Sequence, residues 1–224
     1  MPNHIAHLVV VSGDTAKVEA FIKKVIVTKV DPEDGKPFTR FDFDAILPMP
    51  EELNITSSSS IEEFVKTGIL PKYADSLTGE DKERFIRECY QAKKNLETYG
   101  FKDWYDWKRH YWGTKWNSYD FEELAYGTYM FNTAWCTPMG IWEAIAQQFP
   151  DIKVEVTYAD DDSGYNAGVI TIDHGEISVY EPDGGSDEAY ELYFETHPDM
   201  RDEFKYVEGK GWRYADDEEE DEDE

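Results

Sequence analysis

One pattern constrains this chain more than any other: strand, amphipathic helix and strand are read twice, near either end, with a helical stretch between. His4 to Ser12 (HIAHLVVVS) is apolar and β-rich, and Gly13-Asp14 breaks it. Asp14 or Thr15 then caps a helix whose Val18, Phe21, Ile22, Val25 and Ile26 recur at three- and four-residue steps. After a turn at 31–37, Phe41 to Ile46 (FDFDAI) alternates as a half-buried strand does. Pro48 and Pro50 stop it, because proline cannot donate to a ladder.

The last third repeats the sequence of elements. Gly127 to Trp135 (GTYMFNTAW) reads as a strand, and Thr137-Pro138 opens a helix of about 138–149 with Ile141, Trp142, Ile145 and Phe149 on one face. Ile152 to Tyr158 alternates strictly. Asp160-Asp161-Asp162-Ser163-Gly164 makes a turn, and 166–173 and 176–181 form a hairpin through His174-Gly175. Between the halves, the spacing predicts helices at about 61–67, 80–98 and 101–112, the last stopped by Gly113.

Two β-α-β units sharing a sheet predict an α+β fold. Its form is a ferredoxin-like split β-α-β sandwich, with an antiparallel sheet of four strands and helices on one face. The expected organisation is a domain over 1–182 with a helical insertion at about 55–120. A peripheral extension follows at 183–215, with helix at about 187–195 and 198–204 and a short strand near Tyr206. The tail 216–224 is expected to be disordered, because its nine residues are all acidic and repel one another.

Charge narrows the partners. Lys and Arg number 22 against 49 Asp and Glu, a net charge of −27, and subtracting the nine tail acids still leaves −18 on residues 1–215. Binding a phosphate backbone needs clustered cations, so double-stranded DNA and anionic membranes are disfavoured. A host protein, basic or DNA-binding, is favoured instead. Cys89 and Cys136 show no paired spacing and read as reduced thiols. The N-terminus lacks a signal-peptide pattern and no run reaches the ~20 apolar residues of a membrane span, so a cytoplasmic protein is expected.

Four segments resemble the YubB-like, ferredoxin-like domain proteins carried by bacteriophages, prophages and plasmids. They are Met1-Pro2-Asn3 leading into the first strand and Ser12-Gly13; Phe41–Asp44 followed by Ile46–Leu53; Trp112-Gly113-Thr114-Lys115-Trp116-Asn117; and Phe131–Trp135 followed by Pro138, the helix and Phe149-Pro150. Together they span about residues 1–181. The resemblance implies a ferredoxin-like fold and a mobile-element origin, and it carries over no catalytic residue. The chain departs from the family in its acidic end and in having Cys136 and Thr137 where Ser and Pro are usual.

Residues 99–120 hold nine aromatic side chains interleaved with Lys102, Lys108, Arg109 and Lys115. Packing over the sheet is the simplest account of the helically spaced Trp104, Trp107 and Tyr111. If the segment recognises a partner, Trp104, Trp107, Arg109, Trp112, Lys115 and Trp116 are the candidates, since Trp, Tyr and Arg dominate hot spots. Stacking on single-stranded bases through the same indoles is the sharper alternative, which the net charge disfavours. Asp160, Asp161 and Asp162 join the candidates as part of an acidic surface, with Glu181–Glu191, that imitates DNA phosphates. They also echo a calcium loop without its remaining ligands.

The five histidines show no metal-ligand spacing, and no GxSxG, P-loop, GxGxxG or HExxH motif is present, so no metal or cofactor is indicated. An enzyme would have to use Cys136, with His110 as base, or carboxylates, in a cleft between sheet and insertion. A non-enzymatic binding protein is the primary reading.

Overall fold

The computed structural model describes residues 3–216, so the predicted acidic tail lies, apart from Asp216, outside the described residues. β1 (His4–Gly13) leads into α1 (Thr15–Val25), which starts where the Asp14 carboxylate accepts the Ala16 and Lys17 amides and buries Val18, Phe21 and Val25. The chain then leaves the sheet. β2 (Ile26–Val30) and β3 (Pro37–Phe41) form a separate two-stranded ribbon, followed by α2 (Phe43–Ile46), a 3₁₀ turn at Glu51–Leu53, and helices α3 (Ser59–Thr67), α4 (Tyr73–Ser76), α5 (Gly79–Tyr99) and α6 (Trp104–Tyr111).

The sheet resumes with β4 (Tyr119–Ala125), β5 (Thr128–Ala134), α7 (Met139–Gln148), β6 (Ile152–Asp160), β7 (Gly168–Asp173) and β8 (Glu176–Tyr180). The end of the described chain carries α8 (Asp187–Thr196), a 3₁₀ turn at Pro198–Glu203, and the hairpin β9 (Phe204–Val207) and β10 (Gly211–Tyr214).

Strand order in the main sheet is β4-β5-β1-β6-β7-β8, with every pairing antiparallel. β1 therefore separates the parallel strands β5 and β6, joined by α7, while β5 separates the parallel strands β1 and β4. These are the two interleaved β-α-β units of a ferredoxin-like sheet, extended by the β7–β8 hairpin. The sheet thus has six strands rather than the expected four.

One predicted strand is corrected. The second strand of the first unit is β4, not Phe41–Ile46. In FDFDAI both Phe41 and Phe43 are fully buried, and the chain turns into α2 at Asp42, which places both rings on the same core. Alternation that imitated a strand records two successive aromatic anchors around one buried acid. The insertion consequently runs from β2 to the residue before β4, not from about 55.

Core residues come from one face of the sheet: Ile5, Val9 and Val11 on β1, Tyr129 and Phe131 on β5, and Val154, Val156 and Tyr158 on β6 meet Phe21, Ile141, Trp142 and Ile145 of α1 and α7. The insertion has a small core of its own around Ile61, Phe64, Phe85 and Cys89. α8 packs on the opposite face. Ala159, one residue after core-facing Tyr158, joins Tyr193, Phe194 and Phe204, and Thr157 donates to Glu195 at 3.2 Å. The expected one-sided helical layer is thus supplemented by the C-terminal extension, which is more than peripheral.

His7 lies fully buried beneath α7, with Nε2 3.1 Å from the Thr137 hydroxyl and its ring stacked 5.0 Å from Phe131. Burial pushes its pKa down to about 3, so it is neutral in the folded chain. Its free value is near 6.5, so the folded state resists protonation that the unfolded state accepts. This contribution to stability is complete above about pH 6.5 and is lost as pH falls towards 3, with a slope of up to ~1.4 kcal/mol per pH unit. Denaturant melts from pH 7 to pH 4 are expected to show a shallower loss of stability in His7→Gln than in the wild type; equal slopes would remove His7 from the acid response.

Candidate functional site

The site grows from a buried acid. Asp42 is 2% exposed, yet it is charged, because four donors converge on its carboxylate. Lys29 Nζ lies at 2.7 Å, Arg40 Nη2 at 2.8 Å, Arg40 Nε at 3.1 Å and Asn117 Nδ2 at 2.7 Å. Burial alone would raise its pKa, but the Lys29 hydrogen bond, the Arg40 charge and the Asn117 amide outweigh it and hold the carboxyl below its usual value. The three partners come from β2, β3 and the loop before β4, so one side chain ties the ribbon to the sheet.

That loop is the Trp112–Asn117 segment, and its residues have separate tasks. Trp112 is fully buried, donates from Nε1 to the Leu47 carbonyl at 2.9 Å and packs edge-on to Phe43. Gly113 follows α6 at φ +86°, a backbone region glycine enters freely, and a Cβ there would lie 3.1 Å from the Met139 nitrogen. Thr114 donates to the Ala134 carbonyl at 2.8 Å, fixing the loop to the end of β5. Asn117 also accepts the Phe43 amide at 3.0 Å, and Ser118 donates to the Phe41 carbonyl at 2.7 Å. Phe41, Phe43, Leu47, Trp112 and Ala134 thus bring three of the four resemblance segments into contact.

Lys115 and Trp116 are left on the outside of this knot, where they meet Trp135. The Lys115 ammonium lies 3.8 Å from the ring centroids of both Trp116 and Trp135, which are 41% and 43% exposed. Trp135 directly follows β5, donates its amide to the Asn3 carbonyl at 3.0 Å, and holds φ at +70°. A bulky residue in that region costs roughly 1–2 kcal/mol over an extended one. The neighbourhood is acidic. Tyr119 packs on Trp116 and bonds His4 Nδ1 at 2.8 Å, and burial together with Asp120 and Asp161 pushes its pKa up to about 12.

The remaining predicted residues are dispersed. Trp107 is buried in the main core, where it tilts against Tyr111 and meets Trp112 edge-on, and Trp104 lies half-buried with Lys108 over its ring. Arg109 is exposed and lies over Tyr105. Trp107 and Trp112 therefore offer no open face, which corrects their assignment as binding residues. Packing accounts for both. Lys108 rests 4.5 Å over Trp112, and burial lowers its pKa.

Asp160 is also corrected. It is buried and accepts Asn3 Nδ2, Asn166 Nδ2 and the Asp162 amide, so its oxygens fasten the loop after β6 to the start of β1. Asp161 is exposed but accepts the His4 amide at 2.9 Å, and Asp162 is exposed. Among the described residues, no group of three or more His, Cys, Asp or Glu side chains converges to hold a metal. Cys136 is exposed beside Trp135, while His110 lies against Phe101 and Tyr111 in a depression shared with Glu143, so the thiol and its nominated base are in different surroundings. Trp135 is the site residue that sequence reasoning missed, because it closes a strand pattern and carries no motif of its own.

A family model described as the ferredoxin-like domain in Api92-like protein matches residues 111–223, which is 113 of the 224 residues. The chain belongs to that family. In this Api92-like member the match opens at Tyr111 and runs from β4 through β10, while α1 and β1, the strand that completes the sheet, precede it. No curated protein matches the sequence. The solved structure of protein api92 from Yersinia pseudotuberculosis aligns at 9% identity with a TM-score of 0.40, covering 81% of this chain and 99% of that one. Among the described residues, no helix is long and apolar enough to cross a membrane.

Gly140 tests the join between α6 and α7 that supports this Api92-like site. A Cβ at that position would fall 1.8 Å from the Tyr111 carbonyl oxygen, so any side chain forces the two helices apart. Gly140→Ala is expected to destabilise the chain by roughly 3 kcal/mol, read from denaturant melts, against the small gain an alanine ordinarily brings to a helix. An unchanged midpoint would show that the helices are not in contact there.

Proposed function

We propose that the chain is a non-enzymatic acidic binding module of a mobile element, acting on a basic protein in the cytoplasm of a bacterial host. Imitation of DNA phosphates, to occupy a DNA-binding protein, is its specific form. One observation carries the reading: several of the chain's few cations are taken up by contacts within the fold, while exposed acids line its edges. Lys29 and Arg40 are held by Asp42, Lys102 by Asp106, and Lys115 by two indoles. Arg201 is held by Glu191 and the rings of Phe194 and Trp212.

Exposed carboxylates meanwhile line both edges of the sheet and the extension, with Asp120, Glu122 and Glu123 on β4, Glu176 on β8, and Asp183, Asp187 and Glu188 beyond. The excess of 49 acids over 22 bases sets this field, which reaches about a Debye length, about 8 Å at physiological salt. The field favours a basic partner and opposes nucleic acid. The likeness to YubB-like proteins of phages and plasmids supports the mobile-element setting. An enzymatic reading finds less support, because the depression beside the insertion holds His110 and Glu143 but is not lined by Cys136, the thiol it would use.

The test is capture of partners from a bacterial lysate on immobilised full-length chain at low salt. Basic proteins are expected, released by about 0.5 M salt where the Debye length falls below ~5 Å, and displaced by double-stranded DNA. Partners that withstand that salt, or direct retention of nucleic acid, would contradict the proposal.

A further inference from the structure

We propose that Trp116 and Trp135 form a cation clamp, filled in the free chain by Lys115, that opens to take an arginine side chain of the basic protein partner. The inference rests on the binding reading above and names the place where such a partner docks. Three observations converge on it. Two indoles from different segments, one before β4 and one after β5, lie within 3.8 Å of one ammonium, and both remain more than 40% exposed.

The backbone holds Trp135 at φ +70°, a conformation a tryptophan adopts only when its surroundings enforce it. The enforcing contacts are local: the Trp135 amide on Asn3, and Thr114 on the carbonyl of Ala134. The strain therefore aims an indole outward, beside a second one, where burial would ordinarily be favoured.

The occupant shows what the pair selects. A cation over an indole face is held by the ring quadrupole, and guanidinium adds planar stacking to the charge. Lys115 belongs to the same loop, so it competes with a partner at high effective concentration and keeps the clamp covered until a better cation arrives. Asp120 and Asp161 near Tyr119 supply the acidic rim that draws such a side chain in.

The probe is acetyl-triarginine amide, titrated into the full-length chain at low salt while the indole N–H resonances are followed by NMR. Lys115→Gln empties the clamp, and Lys93→Gln removes an equal charge from exposed α5 as a control. Trp135→Gly removes one wall while suiting the positive φ, so folding is preserved. Lys115→Gln is expected to bind the peptide about fivefold more tightly than the wild type. Its largest shifts should fall at Trp116 and Trp135, Lys93→Gln should change affinity less than twofold, and Lys115→Gln with Trp135→Gly should lose the gain.

Equal tightening by Lys115→Gln and Lys93→Gln, or a gain that survives Trp135→Gly, would overturn the clamp while leaving salt-sensitive binding to the acidic surface intact. Failure of the peptide to bind any variant at low salt would overturn both the clamp and the reading beneath it.

Discussion

The structure depends on one buried carboxylate. Asp42 joins Lys29, Arg40 and Asn117, and through them the ribbon, α2 and the loop that leads into β4. A ferredoxin-like unit normally connects its first helix to its next strand directly. Here about ninety residues intervene between Val25 and Tyr119, and a long excursion must be closed where it leaves and returns. Hydrophobic burial of Phe41, Phe43 and Trp112 supplies most of the attraction, but apolar contact is non-directional. The ion cluster fixes register, because only one arrangement satisfies all four donors. Removing one member of such a cluster leaves charge buried without a partner, which costs roughly 3–5 kcal/mol.

From that closure the surface features follow. Asn117 and Thr114 hold the loop at both ends, and the residues between them, Lys115 and Trp116, have no inward position left. They meet Trp135 because β5 ends where Thr114 docks on Ala134. Lys29, Arg40, Lys102 and Lys115 are taken up by acids and rings within the fold, and the excess of 49 acids over 22 bases leaves the chain negative. Fold and aromatic pair thus have a common origin in how the insertion is fastened to the sheet.

Much of the fold was legible in the sequence where one physical signal acted alone. β1, α1, β5, α7, β6 and the β7–β8 hairpin have clean periods and clear caps or turns. Reading failed where signals overlapped. β2 continues the apolar run of α1 through Val25, Ile26 and Val27 without a break, so helix and strand merge. β4 carries Glu122 and Glu123 on an exposed edge, and its irregular register against β5 erases the alternation. FDFDAI alternated for a reason unrelated to a sheet.

The candidate site was half legible. Lys115 and Trp116 stood out by composition, but nothing in the residues near Trp135 announces a left-handed backbone or an exposed ring. Trp107 and Trp112 were equally conspicuous and proved to be core, because composition does not show which way a side chain faces. Asp160 looked like one more surface acid, and three nitrogen donors, from distant Asn3 and from Asp162 and Asn166 of its own loop, consume it.

The central claim is that Asp42 fastens the insertion to the sheet, and hydrogen exchange on Asp42→Asn measures it most directly. The account predicts that the amides of β2, β3, Phe43 and residues 114–118 lose protection together, while β1 and β6 at the centre of the sheet keep theirs. Unchanged protection in the ribbon and loop, or a uniform loss that includes β1 and β6 equally, would contradict it.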